Sequence, residues 1–311
     1  MNLGKSNLDV FADTLLSLAQ SDRDILVVTV DSRGSGKLTS FGEKLPDQIV
    51  EVGIAEQDLV GVAAGLASCG KKVFAVSPAC FLTARALEQI KNDVAYSNIP
   101  VKLIGISGGV SYGALGSTHH SLHDFATLRA IENIHIVVPA DNFETREAIK
   151  VAVKYQHPLY IRFGKKATYN LHSPETEFQI GKAIMIKDGF DLFFIATGET
   201  VSCALQAAYL LEKQNISCGV ISMHTLKPLD EEAIKAVARR SKALITVEEH
   251  SVNGGLGSAC ASLLMQERIF LPMKIVGIPD EYIVTGSQEE IFSHYGINAE
   301  GLAETASLLL K

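Results

Sequence analysis

Short apolar runs rich in β-branched residues recur along the chain, continuous rather than alternating, which is the pattern of strands buried on both faces of a parallel sheet. In the first half they fall at 25–30, 72–76, 101–106, 134–138 and 159–163, with helical spacing between them at 56–68, 82–96 and 142–154. Strand and helix in alternation predict a doubly wound α/β sheet. From 167 to 188 the pattern loosens into turn formers and charges, which predicts a linker. A second set follows, with strands at 192–196, 217–222, 243–247 and 273–277 and helices near 200–213, 230–240, 257–266 and 299–310. The expected organisation is two doubly wound domains with mainly parallel sheets, 1–166 and 189–311, joined by that linker. At 311 residues the chain is long enough for both.

With 47% apolar and 20% charged residues, the chain can bury sizeable cores. A net charge of −7 without any run of Lys or Arg provides no electrostatic footprint for nucleic acid or an anionic membrane. No apolar stretch approaches the roughly 20 residues that span a bilayer. Near the N-terminus, Leu8, Phe11, Leu15 and Leu18 have helical spacing interrupted by acids, unlike a secretory signal. The five cysteines (Cys69, Cys80, Cys203, Cys218, Cys260) are scattered and never spaced as CxxC. A cytoplasmic protein is expected, with no nucleic-acid or membrane partner and no metal held by this chain.

Open α/β sheets bind ligands beyond the carboxyl ends of their strands, so the residues that follow each strand are the candidates. DSRGSG, from Asp31 to Gly36, is either a plain turn or a ligand loop; it lacks the third glycine of a dinucleotide fingerprint. EVGIAEQDLVGVAAGLASCG predicts a helix rich in Gly and Ala that opens with Glu56. An acid in a first turn is favourable in itself. Set among Val52, Ile54, Ala55, Leu59 and Val60, Glu56 could equally face an apolar contact surface where desolvation helps it hold a proton. Phe81, just past a strand, is either core or a face for a flat heterocycle.

ISGGVSYGALGSTHHSLHD combines four glycines with His119, His120 and His123. Adjacent His119 and His120 share one metal poorly. A mobile loop that carries a histidine into a cleft, for proton transfer or hydroxyl binding, is the better functional reading. Arg162, in LYIRFGK, is either a surface charge or a bidentate phosphate clamp.

In their order and spacing, from about Leu8 to the C-terminus, these stretches resemble transketolase and its relatives. VGIAEQ resembles the pyrimidine-domain motif whose glutamate bonds the aminopyrimidine of thiamine diphosphate, which implies that role for Glu56. The resemblance implies Asp31 near the cofactor, Ser35 and Arg162 on the substrate phosphate, and His119, in STHH, as the catalytic-loop histidine. The family's stacking-aromatic register falls on Ala79 and Leu82, and Phe81, one residue away, is the aromatic expected to stack on the pyrimidine. TLKPLD and VEEHSVNGGLGSA resemble the family's C-terminal domain, which mainly builds the dimer.

Full-length transketolases hold Mg2+ and the diphosphate with a GDG motif and a downstream asparagine, and no GDG occurs here. The resemblance therefore implies a partner N-terminal subunit carrying the diphosphate-binding domain, which holds the metal, and a heterotetramer in which this chain also dimerises. The implied activity is transfer of a two-carbon ketol unit between sugar phosphates. Leu115 and Ser107 stand where full-length transketolases place an aspartate and a histidine, which leaves the donor sugar open. Competing readings are the β subunit of a 2-oxo-acid dehydrogenase's decarboxylating component, a deoxyxylulose phosphate synthase-like enzyme, and a non-catalytic subunit with a relic site.

Overall fold

The structure is a computed structural model that describes residues 1–173 and 175–311. Pro174, inside the expected linker, lies outside the described residues.

The apolar runs of the first half pair in parallel in the order Ile49–Glu51, Ile25–Thr29, Lys72–Pro78, Lys102–Ile106, Leu159–Arg162 and His135–Val137. Every residue of Lys102–Ile106 and Leu159–Arg162 is buried, as in a sheet covered on both faces. The seventh strand of this sheet, Thr225–Lys227, comes from the second half of the chain and pairs antiparallel with His135–Val137.

The second sheet runs Met273–Ile278, Ala243–Ser251, Leu192–Ala196 and Cys218–Ser222 in parallel, and Ile184–Lys187 closes its edge antiparallel. The expected linker thus carries strands at both ends. Ala167–Tyr169 pairs with Leu3–Ser6 in a small ribbon, while Ile184–Lys187 belongs to the second sheet. These edge strands are three or four residues long and mostly half-exposed, so they lack the continuous apolar signal of the central ones.

Helix Glu56–Ser68 buries Leu59, Val60, Ala63, Ala64 and Ala67 in a core that continues through Phe125 and Ile136 to Leu226, Ile234 and Leu244. The two halves therefore share apolar packing. The helix expected over 82–96 is instead Ala79–Arg85, then Leu87–Gln89, then a wider π-type turn over Ile90–Tyr96. Pro78 precedes it, and a fixed proline φ suits a helix start. The Ala79–Arg85 helix therefore begins as soon as the strand ends.

Candidate functional site

Three neighbouring strands deliver their following residues to one rim. Ile49–Glu51 leads to Glu56, Ile25–Thr29 to the Asp31 loop, and Lys72–Pro78 to the helix that carries Phe81 and Arg85. Gly53 takes φ +76° in the turn from strand into helix, backbone that glycine tolerates without strain. Glu56, the first helical residue, is only 4% exposed. Both of its carboxylate oxygens accept from Arg85 Nη1 at 3.0 Å. Phe81 lies one turn before Arg85 on the same helix face, and the guanidinium sits 4.3 Å from its ring centroid. With Ile54, Ala55, Gln57 and Asp58, the Glu56–Arg85 pair lines an open cavity of about 690 Å³.

Phe81 is half-buried, whereas Ala79 and Leu82 are fully buried. Among these three neighbours, only Phe81 offers an accessible aromatic ring. The same ring meets His119 in an edge-to-face arrangement at 5.3 Å between centroids, and Tyr112 flanks the same imidazole at 5.5 Å. His119 Nδ1 lies 3.0 Å from Thr118 Oγ1. His120 is buried and turned inward, where its Nε2–H donates to the Gly113 carbonyl at 3.0 Å. Burial holds its imidazole below the ordinary value, so it is neutral at pH 7. The loop thus presents His119 towards Phe81 and uses His120 to brace itself. Leu115 is exposed on the loop, while Ser107 is buried at its root with φ +55°.

The loop is closed at its neck by the Ser121 N–H, which donates to the Gly109 carbonyl at 2.7 Å. There Val110 donates its N–H to Glu249 Oε1 at 2.9 Å. Gly109 has φ +60°, and a Cβ on it would come 2.2 Å from the Glu249 carboxyl carbon, so this approach admits only glycine.

Arg162 departs from expectation. It ends its strand at the ligand-binding edge of the sheet, yet it is 4% exposed. Nη1 donates to Asp124 Oδ1 at 3.1 Å, and Nη2 to the Glu249 carbonyl at 2.7 Å and Oε2 at 3.3 Å. The guanidinium also lies 4.3 Å from the centroid of the Phe125 ring. Two buried carboxylates thus take the donors that a phosphate clamp would use. Around them, Gln288 donates to Glu249 Oε1 at 2.9 Å and to Glu199 Oε2 at 3.3 Å. Burial, together with the neighbouring Glu249 charge, raises the Glu199 carboxyl above the usual range.

Asp31 and Ser35 stand exposed in the loop after the first strand, and neither side chain is hydrogen-bonded to the Glu56–His119 group among the described residues. Sequence reasoning did not single out Arg85, Tyr112, Glu249 or Gln288. Arg85 alone had a local signal, its place on the helix predicted over 82–96, four residues after Phe81. Among the described residues no cluster is placed to hold a metal ion, all five cysteines are free thiols, and no helix is long and apolar enough to cross a membrane.

The pyrimidine-binding domain of transketolase matches residues 5–170, and the transketolase C-terminal domain matches 181–302. The chain is 50% identical to a subunit of the apulose-4-phosphate transketolase of Phocaeicola vulgatus, over 97% of this chain and 96% of that protein. It is 36% identical to 1-deoxy-D-xylulose-5-phosphate synthase of Heliobacterium modesticaldum over 96% of this chain, which spans only 46% of that longer enzyme. Among solved structures, one described as "Split gene transketolase, inactive beta4 tetramer" superposes with a TM-score of 0.88 at 34% identity, covering 99% of this chain and 98% of that one. With both domain types matched in order along its length, the chain belongs to the transketolase family of transferases, as a subunit built from the pyrimidine-binding and C-terminal domains.

Proposed function

We propose that this chain is the C-terminal subunit of a split transketolase that uses thiamine diphosphate and Mg2+ to transfer a two-carbon ketol unit between sugar phosphates. The observation that carries this reading is Glu56, a buried carboxylate at a helix start that lines an open cavity beside an accessible aromatic ring. Those residues fit an aminopyrimidine, which needs an acid at its ring nitrogen and a flat apolar face. When bound, thiamine diphosphate supplies the electron sink for breaking and remaking the carbon–carbon bond beside a ketose carbonyl.

In this reading, the Glu56 carboxyl shares a proton with the pyrimidine ring nitrogen and Phe81 packs the ring face. Asp31 borders the cofactor from the next strand end. His119, held between Phe81 and Tyr112, bonds the sugar hydroxyls or takes up their protons. Ser35 offers an exposed hydroxyl for the phosphate. Arg162, already paired with Asp124 and Glu249, has the different task of bracing the loop.

The missing GDG motif supports an N-terminal partner subunit that holds the diphosphate and Mg2+, and the kinship to a protein named as one subunit of a transketolase supports the same reading. The likeness to a structure described as a β4 tetramer supports self-association of this chain, and in our reading the partner is added to give a cytoplasmic heterotetramer. Calorimetric titration of thiamine diphosphate and Mg2+ tests this. Tight binding is expected only after the chain is mixed with the partner subunit. Tight binding to this chain alone, or none in the mixture, overturns the proposal.

A further inference from the structure

We infer that Arg85 is a second functional residue of the Glu56 wall: its guanidinium holds the place of the cofactor's aminopyrimidine, so cofactor loading is an exchange that requires Arg85 to leave. The inference rests on the reading of Glu56 given above. Arg85 Nη1 spans both Glu56 oxygens at 3.0 Å, and its guanidinium covers the Phe81 ring at 4.3 Å. A guanidinium is flat and carries N–H donors, and so is an aminopyrimidine. Each needs the same carboxylate and the same ring face, so the two exclude one another.

The partners differ in freedom to move. Glu56 is fixed, 4% exposed at the start of a long helix. Arg85 has a side chain that is 50% exposed, is the last residue of its helix before the bend at Ala86, and among the described residues hydrogen-bonds only Glu56. Asp58 lines the same cavity and is an exposed acid able to receive the released cation. The arrangement also keeps a buried carboxylate paired until the ligand arrives, avoiding the cost of an isolated buried charge. A ligand must therefore both stack on Phe81 and hydrogen-bond the Glu56 carboxyl to displace Arg85, which makes the pair a filter as well as a placeholder.

The test is calorimetric titration of thiamine diphosphate and Mg2+ into the complex reconstituted with the partner subunit. Arg85→Met keeps the apolar stem and removes the charge. Its dissociation constant for the cofactor is expected to fall about tenfold, equal to about 1.4 kcal/mol. Arg85→Gln is expected to move in the same direction and serves if the first variant folds poorly. Unchanged or weaker binding in a folded variant overturns the inference. On the Arg85→Met background, Glu56→Gln is expected to weaken binding, since competition with arginine is absent there. If it does not, the Glu56 reading itself fails, and the inference with it.

Discussion

Val110 donates its backbone N–H to Glu249 Oε1 at 2.9 Å, and with the Ser251 N–H, which donates to the Leu122 carbonyl at 3.2 Å, this bond ties the loop that bears His119 to a strand of the other sheet. Glu249 also accepts from Gln288 and Arg162, so it joins three elements at one buried carboxylate. Glu249→Ala leaves the Arg162 cation short of a partner and the Val110 N–H without one. Removal of one member of a buried pair costs roughly 3–5 kcal/mol, and thermal or urea unfolding is expected to show a loss of that order.

Glu56→Gln is expected to lower kcat of the reconstituted enzyme by about 10²–10⁴, the usual range for losing a positioned proton donor or acceptor. Assembly with the partner subunit is expected to persist, because the substitution preserves shape. Steady-state rates and sedimentation together check this. A variant that remains fully active would point to a relic site.

His119→Asn is expected to reduce kcat/KM while leaving cofactor affinity and stability near those of the parent. The imidazole packs only edge-on against Phe81 and Tyr112 on a half-buried surface, where substitutions usually shift stability by no more than about 0.5 kcal/mol. A kinetic comparison alongside a melting curve separates the two effects.

His172 gives the fold a pH dependence. Its Nδ1 lies 2.9 Å from Asp141 Oδ2 and its Nε2 3.1 Å from Glu144 Oε1. Burial disfavours the charged ring, but hydrogen bonding to Asp141 and the Glu144 charge outweigh it and raise the imidazole from 6.5 to about 9. A raised folded-state value means that the stabilisation is fully present below pH 6.5 and disappears as pH climbs through about 9. The amount is about 3 kcal/mol at most. Urea unfolding at pH 6 and pH 9.5 is expected to show the decline, and His172→Gln is expected to flatten it.

The central strands and long helices were legible because their signal is local. Runs such as 101–106 and 192–196 are apolar throughout, and the helix over 56–68 has the expected span. The short edges were not legible. Leu3–Ser6, Ile49–Glu51 and Thr225–Lys227 are defined by the strand beside them, a relationship absent from their own residues. Glu56, Phe81 and His119 were candidates by motif and position, and contacts through Arg85 and the Phe81 ring link the three. For Arg162 the sequence context shows a strand end but not its buried partners, Asp124 lying 38 residues before it and Glu249 87 residues after it.

The strand Thr225–Lys227 crosses into the first sheet and covers the flank of His135–Val137. The two domains are therefore not modules that can be separated at the segment between them. A polypeptide stopped near residue 170 would present a raw, unpaired backbone edge, an invitation to stick to other copies of itself. Exchange of either domain between relatives would have to carry this strand with the sheet it completes.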